Sequence, residues 1–172
     1  MFISKGIIFW LLISSIIVYF DAFYVIMRPE TLSGGKYYYI FKPYELYVKF
    51  DTLYGMNNDP FVIIQSWLNA FESTLTLVGI ILTISSCQIK QKLGGLICLV
   101  SSTMVFWKTI IFVWYDRDWL TEEALNYTAE SILCYYLPSY CWIVFPFLSM
   151  VTIGKRMIGE GKNEKVKKVW WW

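Results

Sequence analysis

Long apolar stretches alternate with polar or tyrosine-rich segments along this chain. The apolar runs lie at about 6–27, 61–85, 93–115 and 131–154. Each is long enough to cross a hydrocarbon core of ~30 Å at ~1.5 Å per helical residue. The pattern predicts an all-α, polytopic membrane protein: a four-helix transmembrane bundle over residues 1–154, then a basic tail, 155–172. The first run follows Lys5 and stops at Arg28-Pro29, a layout that signal peptides share. No A-x-A-like site follows it and the apolar pattern continues past Asp21, so it reads as a retained span. Pro138 and Pro146 fall inside the last run, where neighbouring helices can accommodate them. The tail is expected to lack regular structure up to its terminal tryptophans.

Within the second run, Gln65, Asn69, Glu72, Thr76 and Gly79 recur at helical spacing and form one polar or small stripe. A carboxyl at that depth is costly and turns toward the bundle interior, which marks a functional site. The same stripe also suits simple helix packing, because small and polar residues hold membrane helices together. Asp21 and Lys108 are further charges inside spans. Lys108 can neutralise Glu72 or Asp21, serve a site, or extend its amine to the interface.

The segment from 28 to 60 carries Tyr37, Tyr38, Tyr39, Tyr44, Tyr47 and Tyr54 and turns at Asn57-Asn58-Asp59-Pro60. Long connections of this kind act as lids or binding loops. Rings settling at headgroup depth are the plainer explanation. An acidic loop, 116–130, holds Asp118, Glu122, Glu123 and the sequon at Asn126.

Composition narrows the classes further. Of 172 residues, 57% are hydrophobic and 16% charged, and the net charge of +2 with no nucleic-acid motif argues against a nucleic-acid partner. Cys87, Cys98, Cys134 and Cys141 lack metal-ligand spacing and read as structural thiols. The chain has no histidine, so acid–base chemistry would fall to carboxyls, lysine or tyrosine. No metal or cofactor is expected. Lys5, Lys90 with Lys92, and the tail from Lys155 to Lys168 fall on one side of a four-span protein, which predicts cytoplasmic termini and two lumenal loops.

By depth, Asp21 and Lys108 sit roughly 10 Å from the lumenal end, and Glu72 and Trp142 about 16 Å from it. The stripe of Tyr135, Pro138, Trp142 and Phe145 gives the last helix an aromatic face. These positions suggest a mixed-charge, aromatic-walled pocket.

The acid late in the first helix, Tyr54 followed by Asp59-Pro60, Glu72, and Trp142 with Pro146 four residues on make the chain resemble the EXPERA family over about residues 6–154. That family includes the emopamil-binding sterol isomerases and the sigma-2 receptor. The resemblance implies an endoplasmic reticulum protein with a sterol-sized pocket. It implies that Asp21 and Glu72 act as an acid–base pair moving a ring double bond from the 8(9) to the 7(8) position, with Trp142 facing the carbocation. Asp21 and Asp59 would instead serve amine binding in a receptor-like member. Ile17 stands where the isomerases have a histidine, and Ser139 where they have an asparagine. Lys108 has no assigned counterpart.

The candidate site therefore comprises Asp21 and Glu72 as catalytic carboxyls, with Trp142, Asp59, Tyr54, Asn69, Tyr135 and Lys108 around the ligand. Expected partners are a sterol or other lipid, cationic amphiphilic amines, and a second copy of the chain as a homodimer. Three readings stay open: sterol binding with or without isomerisation, an ion or proton path along the same charges, and a trafficking protein whose charges merely pair.

Overall fold

The computed structural model describes the backbone of residues 3–169 and the side chains of residues 3–159. Four helices among the described residues are long and apolar enough to cross a membrane, as the hydropathy pattern predicts. Among the described residues the only β-type pairing is an isolated bridge between Asp51 and Leu120.

α1 spans Lys5–Ile26, and Pro29 soon after it forbids further helix. The tyrosine-rich connection does not remain a bare loop. It folds into α2 (Tyr38–Phe41), α3 (Tyr44–Val48) and a 3₁₀ turn at Leu53–Gly55. Aromatic stacking fastens these pieces to the last turns of α1: Phe41 lies 4.6 Å from Phe20, and Tyr44 lies 4.1 Å from Tyr24. Arg28 anchors the far end by donating to the Tyr54 and Met56 carbonyls while lying over the Tyr24 ring.

α4 runs over Pro60–Thr83. Its start is built into the sequence, since the Asp59 carboxylate accepts from Val62 N at 2.9 Å and proline occupies the first helical position. α5 covers Gln88–Asp116, so Lys90 and Lys92 stand on its first turns rather than in the expected linker. The reversal is confined to 84–87 because α4 and α5 cross close beside it. A carbon added at Gly94 would meet the Gly79 carbonyl at 2.5 Å, so glycine there lets two backbones touch.

Short α6 (Glu122–Leu125) and α7 (Ala129–Ser131) are capped by Thr121 and Thr128. A π-helical turn, Ile132–Tyr136, leads into α8, Leu137–Val169. Pro138 explains the wide turn, because it offers no N–H to the carbonyl one turn back and its ring crowds that carbonyl. Ser139 donates to the Tyr135 carbonyl at 2.8 Å and satisfies part of the loosened ladder. Contrary to expectation, the basic tail continues α8 to Val169. Its run of lysine and glutamate favours helix. The terminal tryptophans lie outside the described residues.

α1 packs on α4, α4 on α5, and α5 on α8. α1 and α8 approach less closely, and Trp10 fills that seam, 4.3 Å from Phe145 and 5.7 Å from Trp142. An apolar cluster of Ile3, Leu11, Ile80, Cys98 and Ile153 closes one end of the bundle. A second, built on Tyr24, Phe41, Leu53, Tyr54 and Val62, closes the end that carries the loops. Trp67, Phe71, Trp107 and Trp114 point outward, as side chains facing lipid do.

Candidate functional site

Near the loop-bearing end the helices leave a cavity of about 350 Å³, within the size range of small-molecule sites. α1 contributes Ile17, Val18 and Asp21; α4 contributes Val62, Gln65, Ser66 and Asn69; α5 contributes Val105, Lys108, Thr109, Phe112 and Val113. Pro138, Ser139 and Trp142 form the α8 wall, and Pro43, Tyr44, Tyr47 and Tyr54 form the roof. The tyrosine-rich connection, open in sequence to reading as a lid or as rings at headgroup depth, is thus a packed cover. Behind Trp142 a second void of about 30 Å³ lies among Ser14, Ser15, Ser73, Thr76 and Ser102, room for a single water.

One corner of the main cavity is polar. Tyr54 and Tyr44 donate to Asp21 Oδ1 at 2.5 and 3.2 Å. Burial, and next the Asp21 carboxyl, hold both phenols above their ordinary range, so they stay protonated and can donate to it. Asn69 links the two halves of the network: its Nδ2 reaches Asp21 Oδ2 at 3.5 Å, and its Oδ1 accepts from Lys108. The Lys108 ammonium also donates to Glu72 Oε2, and this pair is almost entirely enclosed, with the carboxylate side chain 3% exposed. The order Asp21, Asn69, Lys108, Glu72 is therefore one continuous hydrogen-bonded chain.

The sequence-derived candidates divide into three groups. Asp21, Tyr54, Asn69, Lys108 and Trp142 all line the cavity. Glu72 joins them only through Lys108 and is not among the lining residues. Asp59 and Tyr135 lie elsewhere. Asp59 is spent capping α4. Tyr135 is removed from the aromatic face of the last helix because the π-turn breaks the three-and-four spacing, and its hydroxyl goes to Asp116. Phe145 likewise stacks on Trp10.

A second buried acid cluster was not among those candidates. Asp51 and Asp116 are both 0% exposed. Asp51 Oδ1 accepts from Tyr54 N at 2.9 Å, and Asp116 Oδ2 from the Tyr135 hydroxyl. The remaining oxygens, Asp51 Oδ2 and Asp116 Oδ1, meet no N–H or hydroxyl donor. A hydrogen bond between the two carboxyls uses them when one is protonated. Burial, then the neighbouring Asp116 charge, pushes Asp51 up to about 9, which supplies that proton at neutral pH. Around this pair the roof is sewn to the loop after α5: Thr52 N donates to the Trp119 carbonyl at 3.3 Å and Thr121 N to the Phe50 carbonyl at 3.0 Å. In sequence both acids look like solvated charges at a turn, and no spacing sets them apart.

No family model matches the chain, and no curated protein or solved structure matches it significantly.

Proposed function

We propose that this protein binds a sterol or another lipid-like amphiphile within the bundle, as an EXPERA-type receptor would, without isomerising it. On this reading it resides in the endoplasmic reticulum membrane, with the loop-bearing end lumenal and both termini cytoplasmic. The observation that carries the proposal is the composition of the cavity wall: apolar and aromatic side chains from all four spans, with one polar corner centred on Asp21. An apolar pocket with few convergent polar groups is how small-molecule sites are built. On the hydrogen-bonded chain two carboxyls, Asp21 and Glu72, stand against one ammonium, Lys108, so with all three ionised that chain carries one surplus negative charge. A cationic amine seated against Asp21 balances it, with the indole of Trp142 on the cavity wall available to the same cation.

Isomerisation asks for two carboxyls at one substrate. Here Glu72 is committed to Lys108 and lies behind it, which favours binding over catalysis.

The test is direct binding to the full chain in lipid nanodiscs. Asp21→Asn should weaken a cationic amphiphilic amine by about tenfold or more and leave a neutral sterol close to its wild-type affinity. Equal amine affinity in wild type and Asp21→Asn overturns the assignment of Asp21. Restoration of 7-unsaturated sterols in cells lacking sterol isomerase would overturn the non-catalytic half.

A further inference from the structure

The cavity wall holds a buried side-chain acceptor that finds no hydrogen-bond donor among the described residues. Gln65 lies one helical turn from Asn69 toward Pro60, on the same face of α4, and lines the cavity. It is 9% exposed, and its Oε1 has no hydrogen-bond partner. The serine and threonine hydroxyls of the wall are already committed as donors: Ser66 to the Val62 carbonyl at 2.9 Å, Thr109 to Val105 at 2.8 Å, Ser139 to Tyr135 at 2.8 Å. Asp21 already takes three donors and Lys108 already serves Glu72 and Asn69. A buried amide acceptor without a donor is disfavoured, and native interiors rarely keep one.

We infer that Gln65 reads the polar group of the ligand, and that this group is a neutral hydroxyl. An amide carries an acceptor and two donors, and a hydroxyl is the small group that answers both. A carboxylate or phosphate would bring a second negative charge beside Asp21, and a ketone or ether would leave Oε1 without a donor. The rest of the wall, with Phe112, Val105 and Trp142, takes an apolar body. The natural ligand class is therefore a lipid alcohol. This rests on the reading of the cavity as a lipid site and adds to it the group that orients the ligand.

The experiment measures binding of a sterol alcohol, its methyl ether and a cationic amphiphilic amine to the full chain in nanodiscs. In the wild type the alcohol should bind about tenfold tighter than the ether, which can accept but not donate. Gln65→Met keeps the side-chain length without the amide. It should bring the alcohol down to the affinity of the ether, and a melting temperature in detergent no lower than that of the wild type reports an intact fold. Equal binding of alcohol and ether by the wild type overturns the role of Gln65 while leaving the lipid site standing, and it needs no variant. A preference for the alcohol that survives Gln65→Met overturns it too. Failure of all three probes to bind the wild type removes the lipid site and this inference together.

Discussion

Two pairs of acids are buried in this bundle, and different means keep each tolerable. Asp21 and Glu72 lie within the spans and share a fixed cation, Lys108, which Glu72 meets directly and Asp21 through Asn69. Asp51 and Asp116 lie at the loop-bearing end with no cation against them, and a proton does the work. A lysine is covalently part of the chain, so its place beside Glu72 is set by the fold. A proton comes from solvent, and its occupancy follows pH. The same electrostatic problem thus has one solution that is constant and one that is adjustable.

The largest expected effect comes from removing the fixed cation. Lys108→Met leaves Glu72 as an uncompensated charge in a site that is 3% exposed, and breaking one side of a buried pair costs about 3–5 kcal/mol. Thermal unfolding in detergent should show the single variant far below wild type. Adding Glu72→Gln should recover most of the loss, since the amide needs no counter-charge. A Lys108→Met protein that melts with the wild type would mean that the pair contributes nothing to the fold.

The proton-held pair responds to pH instead. Asp51 ionises in the unfolded chain near its ordinary 3.8 and in the folded protein at about 9. Between those values the native state keeps a proton that the unfolded state has released. Its contribution is therefore complete below about pH 4, falls as pH rises, and is lost above about pH 9, with a slope of at most ~1.4 kcal/mol per unit. Melting temperatures taken from about pH 5 to about pH 9 should fall for the wild type. Asp51→Asn can donate to Asp116 without a titrating proton, so its profile should be flatter. Parallel profiles would show that Asp51 does not carry the dependence.

The contrast also explains what could be read from the sequence. Asp21, Glu72 and Lys108 stand out because a charge inside an apolar run is expensive anywhere it points, and their meeting follows from similar depth along neighbouring helices. Asp59-Pro60 is equally legible as a helix start, although the sequence reading gave it to the ligand instead. Asp51 and Asp116 sit at a turn and a helix end, where charges are normally solvated and cost little. Their burial depends on the folding of residues 27–59 back over the loop after α5, a long-range event that no local period encodes. Tyr135 leaves its expected face for a related reason: a three-and-four stripe assumes an unbroken α-helix, and Pro138 widens the turn before it. The spans were legible because hydropathy alone sets them. The roof was not, because tyrosines at the interface and tyrosines donating to a buried carboxylate look alike in one dimension.

The smallest effect tests whether the two acid pairs differ in redundancy as well as in compensation. Asp21 receives Tyr44, Tyr54 and Asn69, so deleting one donor leaves two. Apart from its partner acid, Asp116 receives Tyr135 alone. Tyr54→Phe should therefore cost about 1 kcal/mol, the net worth of an ordinary hydrogen bond, whereas Tyr135→Phe should cost about 2 kcal/mol because a buried acceptor is left short. The two variants should also part in their pH profiles. With its remaining donor gone, Asp116 holds an ionised charge less readily, so Tyr135→Phe should steepen the decline toward alkaline pH while Tyr54→Phe keeps the wild-type slope. Chemical denaturation of both proteins across that range reads stability and slope together. Equal losses with equal slopes would show that the two clusters are buffered alike, and the distinction between a built-in cation and a borrowed proton would then lose its physical content.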